Sequence, residues 1–439
     1  MDHFVYRRHR LFAEEVPLAT IAEAVGTPVY VYATATLRRH YRVLAEALSA
    51  LSPTICYAIK ANGNIGVVAT LAREGAGADV VSGGELLTAL SAGVPASGIV
   101  FSGVGKTAEE MAAALRAGVL QINAESEPEL ELLNRVGQGL GVRAPVALRV
   151  NPDVDAHTHD KISTGRREDK FGIEWTAAHR IYARAAKMPG LDVAGIAVHI
   201  GSQLTDVSPF REAFRRVRDL VAMLRADGLP VRTLDLGGGL GIPYGNDGVV
   251  VPPPDAYARA VAETVGDLGC KLIFEPGRMI VGNAGVLVTR ILRIKEGSTR
   301  TFVIVDAGMN DLLRPALYGA WHEVVPVCAP RPGADFRDVD IVGPICETSD
   351  AFGSNRKMPP LKEGDLLAIR SAGAYGRAMA SAYNARALTP EVLVNGAEWA
   401  VVQERIAIEA MLTTQHLPPW ILAGEAIPEA AQARAGAGG

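Results

Sequence analysis

Between about residue 34 and residue 278, short apolar segments rich in β-branched residues alternate with segments that have the apolar spacing of helices. The apolar segments number eight and lie at residues 55–59, 78–81, 98–101, 120–123, 146–150, 195–200, 233–236 and 271–274. Uninterrupted apolar strands of this kind are typical of a parallel sheet that is covered on both faces. Eight strands that alternate with helices over ~250 residues predict a TIM-like (β/α)8 barrel. A doubly wound open sheet competes with this fold, but its glycine-rich fingerprint is absent from the first turn.

Local signals support the helices of this pattern. Thr107 and Glu110 predict a capping box at the start of one helix. Ser208 and Pro209 mark the start of a longer helix, whose apolar stripe consists of Phe210, Phe214, Val217, Val221 and Leu224.

The pattern changes after Arg278. Strand-like segments follow at residues 286–294, 301–305, 339–343, 365–370, 391–396 and 400–404, without a long helical pattern between them. They predict an all-β, Greek-key-like domain, and a further strand-like segment at 29–33 precedes the barrel. We therefore predict a barrel over 34–284, a β domain made of 1–33 and 285–426, and a disordered tail over 427–439. The sequence leaves open which domain the first 30 residues pack against.

Composition excludes several classes of protein. Of the 439 residues, 49% are hydrophobic and 21% are charged, and the net charge is −4. These values indicate neither a disordered chain nor a nucleic-acid-binding protein. The four cysteines are widely spaced and form no CxxC pair, which predicts reduced thiols in a cytoplasmic protein. No apolar run has the length of a signal peptide or of a membrane span, so we predict no membrane partner.

Polar residues follow the predicted barrel strands, at the ends where the active sites of such barrels lie. Lys60 follows the first strand. A lysine beside an apolar strand is desolvated, which lowers its pKa and suits it to bond covalently to a carbonyl group. The alternative for an isolated residue is a solvated loop lysine.

Two further groups converge on the same barrel mouth. Gly237, Gly238 and Gly239 follow the seventh strand, and their bare backbone N–H groups suit a phosphate, although a tight turn is an equal alternative. Glu275 follows the eighth strand and suits a protonated pyridine nitrogen, with an ion pair to Arg278 as the alternative. An amine, a phosphate cradle and a carboxylate at one mouth favour a pyridoxal phosphate site.

Three other features of the sequence, a glycine-rich segment, a pair of histidines and a cysteine, do not by themselves indicate a function. The segment 103–107 (GVGKT) is similar to the end of a phosphate-binding loop, but the motif GxxxxGK[ST] requires glycine where Val100 stands. His157 and His159 lack a third ligand at a recognised spacing, so we interpret them as a polar loop and predict no metal. By itself, Cys346 is interpreted as a buried thiol.

Six motifs occur in a fixed order: YAIKAN (57–62), HIGSQ (199–203), LDLGGG (234–239), EPGR (275–278), CETSD (346–350) and GAYG (373–376). Together they resemble the fold-type III pyridoxal-phosphate-dependent decarboxylases, which have a barrel followed by a β domain. Longer segments at 151–173, 309–320 and 381–396 resemble the members that act on meso-2,6-diaminopimelate. The resemblance extends from about Pro28 to Glu404.

The resemblance implies roles for individual residues. Lys60 would bind pyridoxal 5'-phosphate covalently, His199 would lie against the cofactor ring, and Glu275 would face the pyridine nitrogen. The phosphate and the nearby substrate would be surrounded by Ser202, Gly237, Gly238, Gly239, Pro276, Gly277, Arg278 and Tyr375. The carboxylate at the non-reacting end of the substrate would be bound by Arg278, Arg314 and Tyr318, the last two on one face of a helical turn.

The resemblance also implies a homodimer with a shared active site. Cys346 and Glu347 would reach in from the second copy of the chain. Cys346 would give a proton to the carbanion, and Glu347 would meet the distal ammonium of the substrate.

The implied activity is the decarboxylation of meso-2,6-diaminopimelate to L-lysine and CO2, the last step of lysine biosynthesis. A sister decarboxylase of the ornithine, lysine or carboxynorspermidine type is the alternative. An isomerase similar to alanine racemase is disfavoured, because that family has an arginine at the pyridine nitrogen where Glu275 stands. An inactive regulatory homologue is disfavoured by the presence of Lys60, His199, Glu275 and Cys346.

Overall fold

The computed structural model describes residues 2–155, 170–245 and 250–422. The loop with His157 and His159 and the predicted tail over 427–439 lie outside the described residues. Over the part of the chain that is described, no helix is long and apolar enough to span a membrane.

The chain begins with a small antiparallel sheet of β1 (Phe4–Arg7), β2 (Arg10–Ala13) and β3 (Val16–Pro17), followed by α1 (Leu18–Val25) and β4 (Val29–Ala33). Phe4, Leu11 and Ile21 are buried in one apolar cluster with Val286 and Val392 of the second domain. The Leu11 N–H donates to the backbone carbonyl of Val327 over 2.8 Å. The first 30 residues therefore pack against the second domain, which the sequence left open.

The predicted barrel is present and closed. Its strands are β5 (Thr54–Ala58), β6 (Gly77–Val80), β7 (Ile99–Phe101), β8 (Gln121–Ala124), β9 (Ala144–Asn151), β11 (Leu191–Ala197), β12 (Thr233–Asp235) and β13 (Lys271–Phe274). A short additional strand, β10 (Ile173–Glu174), pairs with β9. Neighbouring barrel strands are parallel, and the pairs β13–β5 and β8–β9 close the ring. All eight apolar segments named above therefore form barrel strands.

Helices surround this ring: α2 (Thr34–Leu48), α3 (Ile65–Arg73), α4 (Gly83–Ser91), α5 (Ala108–Ala117), α6 (Glu127–Leu140), α7 (Trp175–Ala185), α8 (Ser208–Ala226), α9 (Pro254–Val265) and α10 (Arg278–Val281). The predicted capping box of Thr107 and Glu110 begins α5. The helix that follows β13 has only four residues. α2, which precedes the first barrel strand, packs between α3 and α9 and completes the outer ring.

The second domain is a mixed β-sheet. Its strands after the barrel are β14 (Gly285–Glu296), β15 (Thr301–Val305), β16 (Val324–Pro326), β17 (Arg337–Val342), β18 (Ala351–Met358), β19 (Leu366–Ile369), β20 (Glu391–Asn395) and β21 (Glu398–Gln403). Three short helices interrupt or follow them: α11 (Arg314–Tyr318), α12 (Ile408–Leu412) and α13 (Pro419–Leu422). The six predicted strands are present, whereas β16 and β18 were not predicted.

Strand β4 lies in the middle of this sheet. It pairs antiparallel with β14 and parallel with β20, so a strand from before the barrel joins two strands from after it. The strand order is β18-β17-β15-β14-β4-β20-β21, with β19 paired to β14 and β16.

Candidate active site

Lys60 lies at the barrel mouth, in the turn that follows β5. In the neighbouring strand β6 the buried Asp79 is in register with Ala58, which brings its carboxylate next to the lysine. Lys60 Nζ and Asp79 Oδ2 are 2.6 Å apart, and the lysine side chain is 34% exposed. Burial alone lowers the pKa of Lys60, but the acidic groups beside it, chiefly Asp79, outweigh burial, so the pKa is raised. The prediction of a lowered pKa was wrong, because it overlooked the acidic residue inside the apolar segment 78–81.

Glu275 follows β13 and is buried. Its Oε1 accepts a hydrogen bond from the Ser102 hydroxyl over 3.2 Å and a longer one from the Asn123 amide over 3.4 Å. Burial, followed by the neighbouring carboxyl groups of Asp235 and Asp79, raises the pKa of Glu275 well above its ordinary value. Burial and the neighbouring carboxyl groups therefore favour the protonated form of Glu275.

A row of polar side chains leads through the barrel interior to Glu275. The Thr233 hydroxyl donates to Gln121 over 2.9 Å, and the Gln121 amide donates to Asn123 over 2.8 Å. The Asn123 amide in turn donates to Asp235 over 2.8 Å. Burial raises the pKa of Asp235 to about 6, and its carboxyl group is hydrogen-bonded to Glu275. Two adjacent buried carboxyl groups of this kind share a proton.

His199 lies at the end of β11 and is half-buried. Its Nδ1 accepts a hydrogen bond from the Gly238 N–H over 3.2 Å, so the neutral ring carries its proton on Nε2. Burial lowers the pKa of His199 well below its ordinary value, and the positive charges of Arg149 and Lys60 add to this effect. The ring is therefore uncharged at neutral pH.

The three glycines after β12 bring three strand ends together. A side-chain Cβ at Gly238 would lie 2.1 Å from the backbone oxygen of Glu275, so only glycine fits at this position. The Gly237 N–H donates to Asp235 over 3.1 Å and the Gly238 N–H donates to His199. Both groups already have acceptors, so the expectation of bare N–H groups was wrong for these two glycines.

Arg278 and Arg314 are two buried guanidinium groups that both contact Tyr244. Arg278 donates to the Tyr244 hydroxyl, and to the Ser202 hydroxyl over 3.1 Å. The alternative interpretation, an ion pair between Arg278 and Glu275, is wrong, since these donors point elsewhere. Arg314 stacks on the Tyr244 ring, with its Cζ 4.2 Å from the centroid. Burial lowers the pKa of Arg314, as does the charge of Arg278.

Tyr375 and Tyr318 complete this region. The Tyr375 backbone has a φ of 54° and its N–H donates to the backbone oxygen of Ala61 over 2.8 Å. Its ring lies below Arg278, whose Cζ is 4.8 Å from the centroid. Tyr318 ends α11, the helix that begins with Arg314.

One pocket at the barrel mouth contains most of the residues that the resemblance implied. It is lined by Lys60, His199, Ser202, Gly237, Gly238, Gly239, Glu275, Pro276, Gly277, Arg278 and Tyr375, together with apolar side chains. Arg314 joins this group through Tyr244, which it shares with Arg278.

Cys346 and Glu347 are exposed and, among the described residues, do not line that pocket. The Cys346 N–H donates to Asn384 over 2.9 Å, and the Tyr383 hydroxyl donates to Glu347 over 2.6 Å. The interpretation of Cys346 as a buried thiol was therefore wrong.

Sequence reasoning missed several residues of the site. Asp79 and Asp235 each interrupt an otherwise apolar barrel strand, and a charged residue in such a strand is a usable signal for a site. Tyr244 and His322 carry no such signal, because they come from loops and reach the site only through tertiary packing.

Comparison with known proteins agrees with this geometry. Residues 34–282 match the family model of the pyridoxal-dependent decarboxylases, specifically their pyridoxal binding domain. Diaminopimelate decarboxylase of Pseudomonas aeruginosa is 51% identical over 421 residues, which cover 95% of this chain and 100% of that protein. The enzyme of the same name from Vibrio cholerae is 49% identical over 423 residues, again 95% and 100% of the two chains.

A solved structure is similar over nearly the whole chain. It is diaminopimelate decarboxylase of M. jannaschii in a co-complex with L-lysine, which is 38% identical and superimposes with a TM-score of 0.91. The similarity covers 95% of this chain and 99% of that one. The chain therefore belongs to the pyridoxal-dependent decarboxylases, in the group of the diaminopimelate decarboxylases.

Proposed function

We propose that the chain catalyses the decarboxylation of meso-2,6-diaminopimelate to L-lysine and carbon dioxide, as the last step of lysine biosynthesis. The observation that carries this proposal is the pair of buried guanidinium groups, Arg278 and Arg314, next to the pocket of Lys60. Within the described residues, neither guanidinium has a carboxylate within 4.0 Å. Buried charges without a partner are costly, and a carboxylate at the far end of the substrate supplies that partner.

The same charges disfavour the alternative substrates. Ornithine and lysine have only an ammonium at the far end, and two guanidinium groups repel an ammonium. An isomerase similar to alanine racemase is disfavoured because a carboxyl group, Glu275, stands where such a site needs an arginine.

The residues at the barrel mouth fit pyridoxal phosphate, the cofactor of this family. Lys60 offers an amine, Glu275 a carboxyl group, and the Nε of Arg278 is buried without a hydrogen-bond partner among the described residues. Ser202, Tyr375 and the glycines at 237–239 border the space beside that guanidinium. When bound, the cofactor supplies a sink for the electron pair that carbon dioxide leaves behind.

The protein supplies charges and protons around that group. Lys60 is held as an ammonium by Asp79, so its nitrogen must lose a proton before it acts as a nucleophile. We propose that the Glu275 carboxyl group would face the pyridine nitrogen and keep that nitrogen protonated. His199 is neutral and would lie against the cofactor ring without adding a charge.

We propose that Arg278, Arg314 and Tyr318 bind the far end of the substrate and that Glu347 binds its ammonium. Binding of the far end positions the carboxylate that leaves as carbon dioxide next to Lys60. The bound substrate then loses less entropy when it reaches the transition state.

We further propose a homodimer whose active sites are shared. No cysteine lines the pocket of the single chain over its described residues, although the carbanion left by carbon dioxide needs a proton donor. Cys346 is exposed on the second domain, and a neighbouring copy of the chain can present it. We also propose a cytoplasmic location, because the four cysteines are unpaired.

The test is a panel of substrates with separate detection of carbon dioxide and of the amine product. We expect meso-2,6-diaminopimelate to give carbon dioxide and L-lysine in equal amounts, and L-lysine and L-ornithine to give neither at a comparable kcat/KM. Carbon dioxide release from ornithine or lysine at an equal or higher kcat/KM would favour the sister decarboxylase. Racemisation without carbon dioxide would favour the isomerase.

A further inference from the structure

Arg314 has a histidine as its partner instead of a carboxylate. Its Nη1 lies 2.7 Å from Nε2 of His322, which is fully buried. The other ring nitrogen, Nδ1, lies 2.8 Å from the backbone oxygen of Arg370. A carbonyl oxygen only accepts, so Nδ1 must carry the ring proton. Nε2 is then left with a lone pair, which accepts the hydrogen bond from Arg314.

The charge state of His322 agrees with this assignment. Burial lowers the pKa of His322 to about 3, with a further contribution from the positive charge of Arg314. The ring is therefore a neutral acceptor at neutral pH.

Tyr244 contacts His322 and both arginines, Arg278 and Arg314. The edge of His322 packs against its ring, at 5.1 Å between centroids and an interplanar angle of 74°. Arg314 stacks on that ring, and Arg278 donates to its hydroxyl. Both guanidinium groups are thus oriented by neutral side chains. In the described part of the chain, the Nε atoms of Arg278 and Arg314 have no hydrogen-bond partner.

A neutral partner has a different effect from a carboxylate at this position. A glutamate or an aspartate would also orient Arg314, but it would neutralise the arginine and compete with any incoming anion. A neutral imidazole fixes the guanidinium and leaves its positive charge to the ligand.

We propose that His322 is a positioning residue that fixes Arg314 and keeps its charge free for the carboxylate at the non-reacting end of the substrate. His322 thereby contributes to the choice between a substrate whose far end is an amino acid and one whose far end is a simple amine. This inference rests on the proposed function.

The experiment compares two ligands of the holoenzyme by isothermal titration calorimetry. L-lysine keeps the carboxylate that Arg314 would bind, whereas cadaverine has the same chain length and two amines but no carboxylate. The variants are His322→Gln and His322→Glu, which have the same shape and differ in charge. A third variant, His322→Phe, removes the acceptor altogether.

We expect His322→Glu to weaken L-lysine binding by tenfold or more, about the effect of one hydrogen bond to a charged group. Cadaverine binding should be unchanged or stronger, because a neutralised Arg314 repels its far ammonium less. His322→Gln should keep most of the L-lysine affinity, because its amide oxygen still accepts from Arg314. His322→Phe should weaken L-lysine binding like the glutamate variant. In steady-state kinetics with meso-2,6-diaminopimelate, KM should rise more than kcat falls in the glutamate and phenylalanine variants.

Equal L-lysine affinities for His322→Glu and His322→Gln would overturn the proposal, as would a parallel loss of cadaverine binding. If the phenylalanine variant does not fold, the glutamine–glutamate pair still decides the question. Failure of the proposed function has a separate signature: the unmutated protein would release carbon dioxide from L-lysine or L-ornithine, whatever the variants do.

Discussion

At the residue scale, the ion pair between Lys60 and Asp79 sets a requirement on the reaction. An ammonium has no lone pair, so Lys60 Nζ, which lies 2.6 Å from Asp79 Oδ2, must lose a proton before it bonds to a carbonyl carbon. The buried carboxylate also fixes the direction in which the lysine side chain points.

We predict that Lys60→Ala abolishes covalent attachment of pyridoxal phosphate, because Lys60 is the amine that we propose bonds to the carbonyl group of the cofactor. Borohydride reduction followed by peptide mass spectrometry measures the attachment directly. Lys271→Ala is the matched control, since Lys271 is an exposed lysine at the start of β13 and should leave attachment at the parent level. A reduced cofactor on any peptide of the Lys60→Ala protein would show that the assignment is wrong.

The carboxyl group of Glu275 gives a second prediction. Glu275→Gln keeps the shape of the side chain but removes the group that we place at the pyridine nitrogen. We expect turnover to fall by about 10²-fold or more. The dissociation constant of pyridoxal phosphate, measured by equilibrium dialysis of the apoprotein, should rise by about tenfold at most. Equal losses of turnover and affinity, or an unchanged turnover, would contradict this role.

At the scale of elements, α6 offers a test of how the barrel helices pack. It contains two glycines, two positions apart, in different surroundings. A Cβ at Gly137 would lie 2.5 Å from the backbone oxygen of Gly190 and 2.9 Å from that of Val142, whereas a Cβ at Gly139 would meet no atom within 4 Å. The first glycine is required by close packing and the second is not.

We therefore predict opposite effects of the same substitution. Gly137→Ala should lower the free energy of unfolding by about 1–3 kcal/mol, because the new methyl group forces the backbone apart. Gly139→Ala should raise it by about 0.5–1 kcal/mol, because alanine has the higher helix propensity. Urea denaturation followed by circular dichroism measures both. Effects of the same sign would show that α6 does not pack as described.

The elements that the sequence predicted are those with a strong local pattern. The eight barrel strands are buried on both faces, so each is an apolar segment bounded by turns. β18 was missed because its sequence, AFGSNRKM, is half exposed and largely polar. The strands β1–β3 were missed because they have only two to four residues, and their position depends on the second domain. α2 lies within the predicted barrel, but its position between α3 and α9 could not be read from its own amphipathic pattern, which is common to all surface helices.

At the scale of the whole molecule, the shared site is open to a complementation test. Lys60→Ala and Cys346→Ala are each expected to be inactive. If Cys346 acts in the neighbouring subunit's site, a mixed dimer has one site with both lesions and one site with neither. Free subunit exchange should then restore about a quarter of the parent activity, because half the dimers are mixed and each has one intact site of two.

The matched control mixes two variant proteins whose substituted residues both belong, in our proposal, to the site of their own chain. Lys60→Ala with Glu275→Gln should give no more activity than the average of the two proteins alone, since every site then carries a lesion. No recovery in the Cys346 mixture, after mass spectrometry has shown that mixed dimers form, would place Cys346 in the site of its own chain.

Only those residues of the candidate site that directly follow barrel strands were predictable from the sequence. Lys60, His199 and Glu275 stand at strand ends, and the barrel topology brings strand ends together. Tyr244 and His322 were not predictable, because Tyr244 comes from a loop after β12 and His322 from the second domain. Their contact depends on how the two domains pack.

The position of β4 has a consequence for the time course of synthesis. This strand, VYVYA, leaves the ribosome before the barrel, yet both of its partners, β14 and β20, are encoded after the barrel. At ~5–20 residues per second, about 250 residues take on the order of ten to fifty seconds to translate. During that interval an apolar strand with two unpaired edges waits for its neighbours, and such a segment is prone to pair with other nascent chains. The barrel itself closes only after β13, its last strand, has been made. We therefore expect residues 29–33 to be the segment for which this protein needs a chaperone.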